Sequence, residues 1–278
     1  MKIINGKKIA DKILSELKKE IKDKKLKPRL DVILIGDNPA SQLYVKIKER
    51  TGQRIGIKVE KHILSNEIKE KEILKLIDSL NDNCKIDGIL IQLPLPQAFS
   101  TDKIIRRINV KKDVDGFLKE TKFISPFILA IHEAIKETKE KLENKKIIAL
   151  VNSNIFKNKL IKFFNRKNLK LKTALWPIDD YSQLKDFDII ITALGQPEII
   201  KGSMIKEKSI LIDGGVSKKD NKVVGDIDRE SVENKVKWIS PVPGGIGPLT
   251  VAFLLRNVVL AHKILRNQGH ASKVFLKV

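Results

Sequence analysis

Four short stretches of this 278-residue chain hold side chains whose types and spacing could do chemistry. In YVKIKER, which begins at Tyr44, Tyr44 and Lys48 stand at i and i+4, so on a helix they share one face, stacked a turn apart. An amine with a tuned pKa on such a face can move a proton. In DGILIQLPLP (87–96) an apolar strand runs into the polar Gln92 and then two prolines, which end the ladder and stiffen the exit. In KDVDGF (112–117), Asp113 and Asp115 would point the same way from extended backbone, and Gly116 permits a sharp turn. In PVPGGIGPLT (241–250), prolines and three glycines lead straight into a helix, where backbone N–H groups can bind carboxylate, phosphate or carbonyl oxygens. Each stretch taken singly also has an ordinary reading, as a solvated helix face, a surface glutamine or a turn.

The elements around them indicate what must hold them in place. Apolar runs at 30–35, 57–64, 88–93, 146–151, 171–176, 188–194 and 209–214 are rich in β-branched residues, as expected of strands covered on both faces. Between them lie periodic, charged stretches with helical spacing at 7–22, 40–52, 66–81, 126–143, 154–165 and 248–266. Strand–helix alternation with short polar connections predicts an α/β fold built on parallel sheets. GDNPAS (36–41) sits between a strand and the YVKIKER helix, at the carboxyl end of a strand, where open α/β sheets bind ligands. Asp37, Asn38 and Ser41 equally suit an N-cap there. The last helix is apolar around most of its circumference and must be deeply packed. A domain boundary is expected near 117–125, and the last helix could return to the first domain.

Composition sets limits. Hydrophobic content is 42%, ample for a large core, and the single cysteine, Cys84, excludes a disulfide framework and a cysteine-rich metal site. Cys84 is expected to be a small core-filling thiol. No uninterrupted apolar run approaches the ~20 residues of a membrane span. The N-terminal stretch lacks an apolar signal core and carries Asp11, Glu16 and Glu20, so a cytoplasmic location is expected and a membrane is not. Lys+Arg outnumber Asp+Glu by 55 to 34, giving a net charge of +21 and pointing to anionic partners. The lysines are interleaved with glutamates and aromatics are only 5%, which argues against nucleic acid.

Taken together, INGKKIADKI, VILIGDNPASQLYVKIK, DGILIQLPLP, KDVDGF, VVGDID and PVPGGIGPLT make the chain resemble the bifunctional methylenetetrahydrofolate dehydrogenase/methenyltetrahydrofolate cyclohydrolase family over nearly its full length. The resemblance implies a two-domain α/β homodimer. A folate-binding catalytic domain (1–121 and 249–278) would be completed by the C-terminal helix, and a Rossmann-type domain (122–248) would bind NADP or NAD. The implied reactions are oxidation of 5,10-methylene-tetrahydrofolate to the methenyl form and hydrolysis of that to 10-formyl-tetrahydrofolate. Carried over by motif, Tyr44 stacks on the folate, Lys48 is the essential lysine, Gln92 holds it and Asp115 binds the pterin. Leu93, Pro243, Gly244 and Gly245 would line the folate.

The dehydrogenase half departs from the family pattern. Where relatives carry G-x-S-x-x-V-G-x-P after the strand, this chain reads VNSNIFKNK (151–159), keeping only the serine. Val151 and Lys157 put side chains at the glycine positions, which would block close approach of a dinucleotide. The cofactor contacts expected there are Asn152, Ser153, Asn154 and, in the loops after later strands, Asp179 and Gly195. A carboxylate at 179 or 180 disfavours a 2′-phosphate and suits ribose hydroxyls. ISPFIL (124–129) likewise keeps only Ser125 and Pro126 of the family's P-C-T-P-x-G segment. Two readings follow: a bifunctional enzyme with unusual cofactor contacts, or a cyclohydrolase whose dehydrogenase is lost.

Overall fold

The computed structural model describes residues 1–220 and 222–266. In chain order the first elements are β1 (Lys2–Ile3), α1 (Gly6–Asp23), β2 (Arg29–Ile35), α2 (Pro39–Ile55), β3 (Lys58–Leu64), α3 (Glu70–Asp82), β4 (Gly88–Ile91) and α4 (Thr101–Arg106). There follow α5 (Pro126–Glu137), β5 (Ile147–Val151), α6 (Asn154–Arg166), β6 (Leu171–Leu175), β7 (Ile189–Ala193) and β8 (Ile210–Asp213). The series closes with β9 (Ser217–Lys219), β10 (Lys222–Val224), α7 (Arg229–Val232), β11 (Trp238–Ser240) and α8 (Ile246–Leu265). The chain divides into two compact units, one of Met1–Ala10 with Phe127–Thr250, the other of Asp11–Pro126 with the residues from Val251 on.

The second of these carries a three-stranded parallel sheet in the order β3-β2-β4. Central β2 is buried from Leu30 to Ile35, while the edge strand β3 has Val59 as its one buried residue rather than being covered on both faces. Ile33, Ile35, Ile89 and Ile91 on one sheet face pack with Ile73, Ile77 and Leu80 of α3 and Ile104 of α4. Each such side chain stabilises the unit by roughly 1.5–3 kcal/mol relative to exposure. The α2 helix starts where the GDNPAS loop ends, with Asn38 Oδ1 accepting from Ser41 N at 3.0 Å and Pro39 in the first turn. It stops at Gly56, which adopts φ 94°. By length and composition α8 could cross a membrane, but Phe253, Leu254, Leu255, Val258 and Val259 are buried within the protein.

The other unit is a six-stranded parallel sheet in the order β1-β11-β8-β7-β5-β6, with β9 and β10 as an antiparallel pair. All five residues of β5 are buried. From β5 the chain moves outward to β6, then returns to the other side of β5 as β7, so the strand order reverses there. In open α/β sheets a ligand crevice lies at such a switch point, beyond the carboxyl ends of the strands.

Several expectations need correction. The first ten residues belong with the six-stranded sheet, not with residues 11–121: Lys2 N bonds Lys237 O at 2.9 Å, Ile4 N bonds Ile239 O at 2.8 Å, and Ile4 is fully buried. The pairing was hidden because β1 and β11 are only 2 and 3 residues long. The units also change over at 126/127 and 250/251 rather than at 121/122 and 248/249. Helix α5 ends at Glu137, not 143, because the Thr138 hydroxyl donates back to Ile135 O at 2.7 Å and Lys139 turns out at φ 56°. Cys84 is exposed, in the loop after α3, and fills no core.

Candidate active site

Of the folate-type residues named from the sequence, Tyr44, Lys48, Gln92, Leu93 and Asp115 gather beyond the carboxyl ends of β2 and β4. Helix α2 presents Tyr44 and Lys48 from adjacent turns, both half-buried. Lys48 Nζ donates to Gln92 Oε1 at 2.8 Å. Gln92 is held twice: its backbone N bonds Ile33 O at 2.9 Å, continuing the ladder past β4, and its Nε2 donates to Leu93 O at 2.7 Å. With the amide nitrogen committed to Leu93, the carbonyl end must face the lysine. Gln92 thus orients the amine without adding charge.

Asp115 completes the group. Lys48 and Asp115 are each half-buried by accessible surface, yet protein surrounds their charged ends closely enough that desolvation is the largest influence on both. Burial pushes the Lys48 amine below its ordinary value, and the negative charge of Asp115 draws it partly back. Burial lifts Asp115 to about 6, with Lys48 opposing the rise and Asp113 adding to it.

Asp113 and Asp115 do not point the same way, because 112–117 is a turn rather than an extended segment. The fully buried Asp113 carboxylate accepts from Phe117 N at 3.1 Å and Leu118 N at 2.8 Å, so it holds the turn. Gly116 has φ 72°, and a Cβ there would lie 2.8 Å from Ser125 N and 2.9 Å from Phe123 O. Only glycine suits that position. Of the remaining folate-type residues, Leu93 is half-buried beside Gln92, whereas Pro243, Gly244 and Gly245 belong to the other compact unit. There Gly244 has φ 104°, and Gly245 packs so closely that a Cβ on Gly6 would lie 1.8 Å from its carbonyl oxygen. A cavity of about 700 Å³ lined by Lys25, Arg29, Lys58, His262 and Arg266 lies at the opposite, amino-terminal end of the three-stranded sheet and has no part in this constellation.

In the six-stranded unit the cofactor-type residues cluster at the switch point. Asn152 Nδ2 donates to Leu194 O at 3.0 Å, linking the loops after β5 and β7. Ser153 caps α6 by accepting from Phe156 N at 3.3 Å, and Asn154 opens the helix. Gly195 adopts φ 70° with nothing within 4 Å of a Cβ, so the space over it is open. Val151, at one of the positions where relatives carry glycine, is fully buried at the end of β5. Phe156 takes up space in the first turn of α6 by packing on Phe127, with ring centroids 5.2 Å apart. Asp179 is exposed beyond β6, while Asp180 is occupied with the Ser182 N–H and hydroxyl, both at 2.7 Å. An open glycine, a helix N-terminus and a free carboxylate past the second strand are groups that suit a dinucleotide.

A carboxylate pair that sequence reasoning passed over ties this crevice together. Buried Asp213, at the end of β8, accepts from Gly215 N and Asp226 N at 3.0 Å and from Ile227 N at 3.1 Å. Asp226 in turn accepts from Leu194 N at 2.8 Å and Gln196 N at 2.9 Å, fixing the loop that carries Gly195. Burial, reinforced by Asp226, pushes Asp213 up to about 7. The signal was present in the glycines: a Cβ on Gly225 would lie 1.9 Å from Asp213 Oδ2, and one on Gly215 would lie 2.0 Å from Asp226 Oδ1.

A two-unit α/β protein with a lysine–glutamine–aspartate cluster on one unit and a switch-point crevice on the other has the architecture of a two-site enzyme. The family comparisons agree. Residues 4–115 match the catalytic-domain model of the tetrahydrofolate dehydrogenase/cyclohydrolase family, and residues 127–266 match its NAD(P)-binding-domain model. The chain is 36% identical over 277 residues to the bifunctional protein FolD of Halothermothrix orenii, covering 94% of this chain and 98% of that protein. It is 38% identical to FolD of a Nitratiruptor species, with 95% and 98% covered. Among solved structures it matches the bifunctional FolD methylenetetrahydrofolate dehydrogenase/cyclohydrolase of Campylobacter jejuni with a TM-score of 0.87 at 35% identity, covering 95% of this chain and 99% of that one. The chain belongs to the bifunctional tetrahydrofolate dehydrogenase/cyclohydrolase family.

Proposed function

We propose that the chain hydrolyses 5,10-methenyl-tetrahydrofolate to 10-formyl-tetrahydrofolate at Lys48 and also carries out the preceding oxidation of 5,10-methylene-tetrahydrofolate, working as a cytoplasmic homodimer. The observation that carries the first half is the 2.8 Å bond from Lys48 Nζ to Gln92 Oε1 beside the partly desolvated Asp115. The methenyl carbon is cationic and bridges two nitrogens. Water adds to it, the adduct loses a proton, and the bond from that carbon to the pteridine-ring nitrogen breaks as the nitrogen takes up a proton and the hydroxyl releases its own to become the formyl oxygen. A lysine with a lowered pKa can accept the first proton as a neutral amine and return it as an ammonium. Tyr44 offers a ring on the same helix face for the folate to stack against. Asp115, ionised above about pH 6, can accept two hydrogen bonds from the donor edge of the aminopyrimidine.

The oxidation requires a nicotinamide dinucleotide, which accepts the hydride when bound. Asn152, Ser153, Asn154 and Gly195 are the residues that would hold it, with the α6 N-terminus facing its phosphates. Asp179 would accept from the ribose hydroxyls, and this favours NAD over NADP. The relatives named as bifunctional support both activities in one chain. Purified protein is expected to hydrolyse methenyl-tetrahydrofolate and to form it from methylene-tetrahydrofolate faster with NAD than with NADP. Hydrolysis with no methenyl product from either cofactor would leave only the cyclohydrolase, as the altered VNSNIFK turn alone suggests.

A further inference from the structure

We infer that Asn257, on the C-terminal helix, is a positioning residue for Asp115; this rests on the reading of Asp115 as a folate-binding group. Asp115 itself has no hydrogen bond to its carboxylate among the described residues, so beside the charges of Lys48 and Asp113 it is the backbone of its turn that decides where that carboxylate stands. Three devices hold the turn. Before it, the buried Lys112 Nζ donates to Leu80 O at 2.9 Å, Asn81 O at 2.7 Å and Asn83 O at 2.8 Å, pinning the segment to the last turn of α3. After it, the Asp113 carboxylate gathers the N–H groups of Phe117 and Leu118. Between them, Asn257 Nδ2 donates to Val114 O at 2.8 Å and to Ile124 O at 3.0 Å.

The third device differs from the others in reach. Asn257 is 3% exposed and lies 143 residues from Val114 in sequence, so a distant helix sets the residue directly before Asp115. Its one nitrogen spends both hydrogens, one on each arm of the loop, and so fixes the distance between residues 114 and 124. A primary amide offers two donors at one atom, which no hydroxyl or aliphatic side chain of that length does. Val114 cannot settle elsewhere: it is fully buried and lies over β4, where a Cβ on Gly88 would stand 2.7 Å from its Cγ1. Ile89 N also bonds Lys112 O at 2.9 Å. Losing the amide therefore frees the 114 and 124 carbonyls while the anchors on either side persist. The movement this allows falls on Asp115 and Gly116.

A double-mutant cycle tests this. Asn257→Ala is expected to raise KM for methenyl-tetrahydrofolate about 10-fold or more, with a smaller change in kcat, because misplacement of a binding group by about 1 Å costs up to ~10²-fold. In an Asp115→Asn background the same change should cost less than about 2-fold, because the group being positioned is already compromised. A factor equal in both backgrounds would overturn the inference, since a merely structural asparagine acts additively. If Asp115→Asn leaves KM and kcat at their original values, the reading of Asp115 falls and this inference falls with it. Circular dichroism and the melting temperature establish that each variant is folded. If Asn257→Ala is not, Asn257→Ser, which keeps one donor, decides by the same cycle.

Discussion

Both units place their polar residues beyond the carboxyl ends of parallel strands, but they build the two sites from different material. On the three-stranded sheet the groups proposed to act are side chains: the Lys48 amine, the Gln92 amide and the Asp115 carboxylate, each tied to its residue type. At the switch point of the six-stranded sheet the loops around the proposed crevice are fixed through their backbone, whose N–H groups donate to the buried Asp213 and Asp226 at 2.8–3.1 Å and leave open space over Gly195. A site made of side chains must keep its letters. One made of backbone keeps only those letters that geometry demands.

Four variants would break or sharpen this contrast. Lys48→Met should have the largest effect, lowering methenyl hydrolysis by about 10²–10⁴-fold, the usual worth of a positioned acid–base group. Nucleotide binding, measured by calorimetry, should stay unchanged in that variant. Gly116→Ala should come next. It forces a side chain to φ 72° and against Ser125 N and Phe123 O, so it should lower both the melting temperature and folate affinity, at about 1–3 kcal/mol for the backbone conformation before the contacts are counted. Asp179→Ala should reduce the preference for NAD over NADP by about tenfold, the scale of one charge-assisted hydrogen bond at roughly 1.5–3 kcal/mol, read as the ratio of the two kcat/KM values. Gly195→Ala should be mildest for stability, about 1 kcal/mol, because its Cβ meets nothing within 4 Å. If the space over Gly195 is where a dinucleotide lies, the same variant should nonetheless raise the cofactor KM. An effect of equal size on stability and on cofactor KM would erase the distinction between the two glycines.

The same contrast explains what could be read from the sequence. That Lys48, Gln92 and Asp115 come together was legible because amine, amide and carboxylate chemistry is written in residue type, and α2 and β4 are strongly patterned. Strands β2 to β8 were legible from their apolar runs. Asp113 was misread because its direction depends on a turn closed by the N–H groups of Phe117 and Leu118, which no spacing rule reveals. The β1–β11 pairing went unseen because two and three residues carry no periodicity. Asn257 stood in a helix legible only as apolar, and its role appears once Val114 and Ile124 are brought to it.

The central claim is that burial poises the Lys48 amine for proton transfer while Asp115 restrains the shift. Titration of the Lys48 side chain by heteronuclear NMR, with its resonance assigned by its loss in Lys48→Arg, tests this directly. The pKa should lie below the ordinary 10.5. It should fall further in Asp115→Asn, because removing a neighbouring negative charge destabilises the ammonium, and the acid limb of hydrolysis should move to lower pH with it. A Lys48 amine that titrates at or above 10.5, or that rises when Asp115 is neutralised, would contradict the account.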